Sequence, residues 1–436
     1  MTRPMSLTTL VRDLRAGLVS PADHVEDVLE RLAGDRCNAV IELDADRARR
    51  RAAELSAAGA PVGPLHGVAV GVKDLIDVAG LPTRCGSAIL CDAPPAAADA
   101  PIVARLRQAG AVIVGKLHTH EFAYGPIGDA AATGPARNPH DLSRITGGSS
   151  SGSAAAVGAG HLALAIGTDT GASVRTPAAL CGVAGLKPRR GALPDAGVFP
   201  LAESFDTVGL LAADPASVAC AWDALHGRTA SGWRPAGPGL LGLRVGLPDD
   251  PYWAAADPVL TEAVGAAARD LERAGAEIVE VTTPEIAELA ATYPVITGAE
   301  AYATHREWFG TRRAEYQPAT VERLAEQAEA PAHRYVDAQR TRRLLGDRLL
   351  AHVGATADLL LTATTRLRAT PIGASEVDGL GVRPAMLGLT SPFNVTDRPA
   401  VSVPVTVQGL PAGVQLAGIT VGESAVLAAA AAVGAP

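Results

Sequence analysis

The chain has 436 residues, of which 48% are hydrophobic and 19% charged, and its 46 Gly and 32 Pro follow no collagen-like period. This excludes wholesale disorder, and by length two or three domains are expected, with a core that needs no disulfide or metal staple. A formal charge of −8 disfavours nucleic acid or an anionic membrane surface as partner, and an aromatic content of 3% leaves the core to Ala, Val, Leu and Ile.

Ser6 is placed to cap a helix whose Leu7, Leu10, Val11 and Leu14 share one face and which Gly17 can end. Arg12, Asp13 and Arg15 interrupt the apolar stretch that a secretion signal needs. Ser20-Pro21 starts a second helix, and a third is expected from Asp44 to Leu55, so the first 60 residues read as helical. The arginines at 47, 49, 50 and 51 read as its solvated face. From Leu65 the period changes, and Val68–Val72 is a β-branched apolar run of the kind found in buried strands. Pro101–Gln108 reads as a helix stopped at Gly110 and followed by the strand Ala111–Val114. The run Ala154–Ile166 is shorter than the roughly 18–20 residues of a membrane span. Residues 227–240 are rich in Gly, Pro and Ser and mark a linker or long loop. Beyond them come a strand at Leu243–Gly246, a helix at Pro258–Ala274, a strand at Ala276–Val281 and a helix-rich stretch from about Pro284 to Leu350. Strand–helix–strand alternation in both halves argues for an α/β sheet with covering helices. The cysteines at 37, 85, 91, 181 and 220 form no CxxC pair, and a reducing, cytoplasmic compartment is the simplest expectation.

Three segments carry potential chemistry. They are Gly67–Asp77, with Lys73 in an apolar strand; Gly147-Gly148-Ser149-Ser150-Ser151-Gly152-Ser153; and Gly167-Thr168-Asp169-Thr170-Gly171-Ala172-Ser173-Val174-Arg175. Singly they are weak. A lone lysine at a strand end is usually at the surface, and a Gly/Ser run resembles a linker. The run opens into the helix-compatible Ser153–Ala159, it lacks the Lys-Ser or Lys-Thr of a phosphate loop, and Ser173 lacks a G-x-S-x-G elbow.

Together the three resemble the amidase signature family of Ser–cisSer–Lys amidohydrolases. The likeness runs from the Lys73 strand through Arg175–Pro188, with further matches at Gly110–Ala123, Ser204–Gly209, Ser391-Pro-Phe-Asn394 and Gly409–Leu416. The stretch 284–385 is the least similar. The resemblance implies an α/β fold with a large, mostly central mixed β-sheet covered by helices on both faces. It implies one domain over 1–436, made of a helical segment 1–60, a signature core 61–226, the linker 227–240, a variable substrate-side region 284–385 and a C-terminal core 386–436. It further implies hydrolysis of a small-molecule carboxylic amide with no metal or organic cofactor, and it allows a homodimer. Ser173 matches the nucleophile, Lys73 the base and Ser149 the proton shuttle. The backbone N–H groups of Thr170, Gly171, Ala172 and Ser173 match the oxyanion hole, and Asp169 with Arg175 resembles a supporting buried pair. The competing functional readings are a glutamine-hydrolysing amidotransferase component that works with a partner and an ester- or carbamate-cleaving member.

Elementary chemistry sets one demand on this assignment. A serine hydroxyl attacks only after a base takes its proton, and a lysine with an ordinary value near 10.4 is only about 0.04% neutral at pH 7. Lowering that value to about 7.5 requires roughly 4 kcal/mol of ammonium destabilisation. Val68, Val70, Val72 and Leu75 are expected to supply the desolvation, while strand alternation should turn Asp74 away from Lys73.

Four positions depart from the family pattern: Ala172 and Ser151 stand where Gly is usual, and Asp397-Arg398 replaces Gly-Leu. Alanine would be costly at positive φ, whereas Asp tolerates a left-handed turn. Ser150 is a fallback for the shuttle. His118, His120 and Glu121 suggest a metal set but lack an evident third ligand, and Cys181 reads as a small buried residue, not a thiol nucleophile.

Overall fold

A computed structural model of the chain describes residues 4–228, 240–405 and 407–434. Its strands in chain order are β1 (Val40–Leu43), β2 (Ala69–Lys73), β3 (Val112–Leu117), β4 (Arg137–Asn138), β5 (Asp141–Ile145), β6 (Leu164–Asp169), β7 (Ala184–Lys187), β8 (Thr207–Ala212), β9 (Arg244–Pro248), β10 (Glu277–Val281), β11 (Leu359–Ala363), β12 (Glu376–Val377), β13 (Leu380–Gly381), β14 (Ala400–Val405) and β15 (Ala412–Gly418). Eleven of them form one mixed sheet in the order β1-β3-β2-β6-β8-β7-β14-β15-β11-β9-β10. Strands from both sides of residues 229–239 therefore share the sheet.

The strands β3, β2 and β6 run parallel and are buried throughout, as their continuous apolar sequences require of a sheet covered on both faces. Alternation along β2 sends Val70 and Val72 into one core cluster and Ala69 into the other. The helices Leu7–Arg15, Pro21–Ala33, Ala45–Ala57, Pro101–Gln108 and Pro258–Arg273 form where the apolar spacing and caps place them. Ser20 accepts the Asp23 N–H, and Gly17 and Gly110 take positive φ after their helices. The arginine-rich third helix is solvated, with Arg49 paired to Glu26 and Arg51 to Glu54.

Two expectations need correction or restriction. The first 60 residues are not all helical, because β1 pairs antiparallel with β3 at the sheet edge. Four residues give too short a period to announce a strand, and it forms because β3 offers an edge to pair with. The linker at 227–240 falls largely on 229–239, outside the described residues. The helix-rich stretch resolves into the helices Ile286–Thr311, Pro318–Gln327 and Ala332–Gly354.

Candidate active site

Parallel pairing of β2 with β6 brings two strand ends together, and ligand sites in α/β sheets gather at such carboxyl ends. Lys73, the last residue of β2, is fully buried, with Nζ 2.7 Å from Ser149 Oγ and 2.7 Å from Thr168 Oγ1. Ser149 follows a cis Gly148–Ser149 peptide bond, and its carbonyl accepts the His120 N–H. Ser150 is not the shuttle. Its Oγ accepts the Thr168 N–H and donates to the Thr168 carbonyl, and it lies where a Cβ on Gly167 would stand. It staples the helix Ser151–Gly158 to β6. Ser150 N–H also donates to the Ser173 carbonyl, which ties the two serine-bearing loops together.

The loop from β6 to the helix Arg175–Cys181 carries the candidate nucleophile. Ser173 is 5% exposed, against 0% for Lys73 and Ser149, so within this set it is the one that reaches the solvent side. Among the described residues none accepts a hydrogen bond from the backbone N–H groups of Thr170, Gly171, Ala172 or Ser173. Free donors of this kind are what a developing oxyanion requires. Ala172 does not have positive φ, so alanine is accommodated there without left-handed strain. Thr170 Oγ1 donates to Asp206 at 2.5 Å, which anchors the loop to the Ser204–Gly209 motif.

Behind the loop Asp169 and Arg175 form a fully buried pair at 2.9 Å. The Asp169 carboxylate also accepts the N–H groups of Val174 and Arg175, capping the helix that follows the nucleophile. Arg175 donates to Asn394, Gln415 and the Thr390 carbonyl, so the distant C-terminal motifs converge on this one guanidinium. Burial raises the Asp169 carboxyl, but the Arg175 charge and the Asn394 hydrogen bond outweigh it and bring the value down to about 2.

Burial lowers Lys73 from its ordinary value to about 7, against opposing pulls from Asp169 and Asp206. The drop from 10.5 corresponds to roughly 5 kcal/mol of lost ammonium stability, and the amine is about half neutral at pH 7. Asp74 does not oppose it, because its carboxylate pairs with Lys116 at 3.0 Å. The expected source of desolvation needs correction. Val70 and Val72 lie on the opposite face of β2 from Lys73, so they cannot cover the amine; the Ser149 and Thr168 loops enclose it instead. Burial pushes Asp206 up to about 6.

Residues 118–121 have other duties than metal ligation. His118 bridges Ser151 Oγ and the Gly134 carbonyl. Glu121 accepts from Ser87 Oγ and the Gln317 N–H, and His120 Nδ1 accepts the Gly128 N–H. Among the described residues no group of three His, Cys, Asp or Glu is placed to hold an ion. Cys181 is buried with Sγ 3.5 Å from the Thr146 carbonyl, and burial raises its thiol. Asp397 takes φ 51° and receives the Arg190 N–H, while Arg398 donates to the Ile419 carbonyl. Sequence reasoning overlooked Thr168, although it lies inside the quoted segment, and Tyr293. The Tyr293 hydroxyl stands where a Cβ on Gly171 would be. Tyr293 belongs to the long helix Ile286–Thr311, whose sequence has no marked apolar face, and nothing in that pattern signals the contact.

Residues 23–427 match the family described as Amidase. AtzE of Pseudomonas sp. (strain ADP), a 1-carboxybiuret hydrolase component, is 36% identical, over 98% of this chain and 97% of that protein. A glutamyl-tRNA(Gln) amidotransferase component of Symbiobacterium thermophilum is 36% identical, over 97% of this chain and 95% of its own length. A crystal structure of an amidase superposes with a TM-score of 0.90 at 33% identity, covering 98% of this chain and 99% of that one.

Proposed function

The chain belongs to the amidase signature family and is an amide-hydrolysing enzyme, and from that premise we propose that Ser173, Ser149 and Lys73 carry the reaction. The observation behind this reading is a buried Lys73 amine, 2.7 Å from Ser149 Oγ, with no carboxylate in ion-pair contact among the described residues. Neutral Lys73 takes the Ser149 proton as Ser149 takes the proton of Ser173. The Ser173 Oγ–carbon bond forms and the carbonyl electron pair moves onto oxygen, facing the free N–H groups of residues 170–173. Collapse of that oxyanion breaks the C–N bond, and the proton returns through Ser149 to the departing nitrogen. Water then attacks the acyl-Ser173 ester by the same relay, releasing the carboxylate and restoring the serine. Asp169 and Arg175 hold the loop in shape and take no proton.

The amide is taken to be a linear, non-peptide carboxylic amide of a small molecule. The five free cysteines support a reducing, cytoplasmic setting, and no helix among the described residues is long and apolar enough to cross a membrane. The test is turnover of a panel of alkyl and aryl amides by the purified chain. Ser173→Ala should abolish hydrolysis while the thermal melt stays close to wild type; retained hydrolysis above a contamination control overturns the nucleophile assignment.

A second reading, a glutamine-hydrolysing component that works with a partner, is favoured by equal identity to the amidotransferase relative. Activity with glutamine only beside a co-expressed partner would select it, and hydrolysis of simple amides by the chain alone would reject it.

A further inference from the structure

Two guanidinium groups come from the stretch 284–385, the part least similar to the family. Arg323 comes from the helix Pro318–Gln327 and Arg383 from the first turn of the helix Val382–Leu387. Arg323 donates to the Tyr124 carbonyl and lies 5.5 Å from the centre of that ring. Arg383 Nε is buried without a hydrogen-bond partner. Among the described residues neither arginine is in ion-pair contact with a carboxylate. Burial, and then the charge of Arg383, bring Arg323 down to about 10, so the two cations sit close and repel.

Contacts place both beside the reacting centre. Thr176 Oγ1 donates to the Met386 carbonyl at 2.7 Å, which sets the Arg383 helix against the helix that follows Ser173, and Gly125, next to the Tyr124 that Arg323 holds, packs its carbonyl against Gly148 of the Ser149 loop. Tyr293 stands over Gly171, and the His120 N–H holds the Ser149 carbonyl. The acids that act on Arg323 are Glu322 and Asp129, and burial raises the carboxyl of Asp129. Two half-buried cations that meet no carboxylate among the described residues, one of them with an unmet Nε–H, call for an anion from outside the chain.

We propose that the substrate amide carries a carboxylate, received between Arg323 and Arg383 beside Ser173. This rests on the amide-hydrolase reading and names its substrate class. A carboxylate on the acyl part or on the amine part would meet the same cations, and the test has an arm for each.

Initial rates are compared on glutaramate and glutaramide, which differ only in a terminal carboxylate or carboxamide, and on N-butanoylglycine and its glycinamide counterpart. In at least one pair the wild type should prefer the carboxylate by tenfold or more. Arg383→Gln should cut that preference by about 10- to 100-fold, as loss of a charge-assisted contact does, and Arg383→Lys should restore part of it. Equal rates within both pairs, or an equal fall on charged and neutral members, overturn the proposal. Should Arg383→Gln fail to fold, Arg323→Gln on its separate helix carries the same comparison. If no amide of any kind is turned over, the proposed function fails. Thermal protection by glutarate then decides this inference alone: protection of wild type that weakens in Arg383→Gln supports it, and absence of protection overturns it.

Discussion

Two buried lysines stand at the carboxyl ends of the adjacent parallel strands β2 and β3, and they differ in their partners. Both are 0% exposed. Lys73 meets the hydroxyls of Ser149 and Thr168. Lys116 meets the Asp74 carboxylate at 3.0 Å, together with Thr83 Oγ1 and the Pro82 carbonyl. The same side chain, at the same depth in the same sheet, forms an ion pair in one place and meets only hydroxyls in the other. Desolvation disfavours the Lys73 ammonium, and among the described residues no carboxylate at contact distance compensates it. The chemistry of this site therefore depends as much on where Asp74 points as on where Lys73 points.

The comparison can be broken at either lysine. The largest effect is expected from Lys73→Met, which removes the base and should lower kcat/KM by more than about a hundredfold; initial rates showing a lesser loss would make the two lysines equivalent. Next is Thr168→Asp, which sets a carboxylate against the Lys73 amine and turns it into a second ion pair. In the wild type the base works only when neutral, so kcat/KM should rise with pH through about 7, where burial holds Lys73. A new anion stabilises the ammonium, so this limb should move to higher pH by about 1–3 pH units and the rate at pH 7 should fall. A wild-type profile flat from about pH 6 to 9 would sink the assignment of Lys73 as base. The smallest effect on turnover should come from Lys116→Met. It leaves Asp74 buried and unpaired, so urea unfolding should show a loss of about 3–5 kcal/mol while the specific activity of the folded protein is little changed. A folded but inactive Lys116→Met protein would break the distinction.

Much of this was legible in the residues. Helix caps at Ser20 and Gly17, the apolar strand ending at Lys73, and the ordered Gly/Ser segments are local features, and local features survive folding. Asp74 does turn from Lys73, but it does so in the turn after β2 and not by strand alternation, and its partner Lys116 explains where that carboxylate goes. The same alternation defeats the expectation that Val70 and Val72 desolvate the amine, because neighbours in a strand share sequence but not a face. β1 escaped notice because its four residues depend on β3 for pairing. Thr168, Asn394 and Gln415 were quoted inside motifs, yet their contacts span 95 to 240 positions, a distance that no spacing rule covers.

The chain by itself determined its family and the helices that local periodicity and caps specify, since these rest on motifs and interactions within a few residues. Tertiary structure alone decided that one buried lysine meets hydroxyls and its neighbour a carboxylate, and that among the described residues four loop amides remain unclaimed and Arg323 and Arg383 meet no carboxylate. Each of these depends on burial and on partners brought from remote segments, and the energy of a charge is set by that surrounding and not by the residue that bears it.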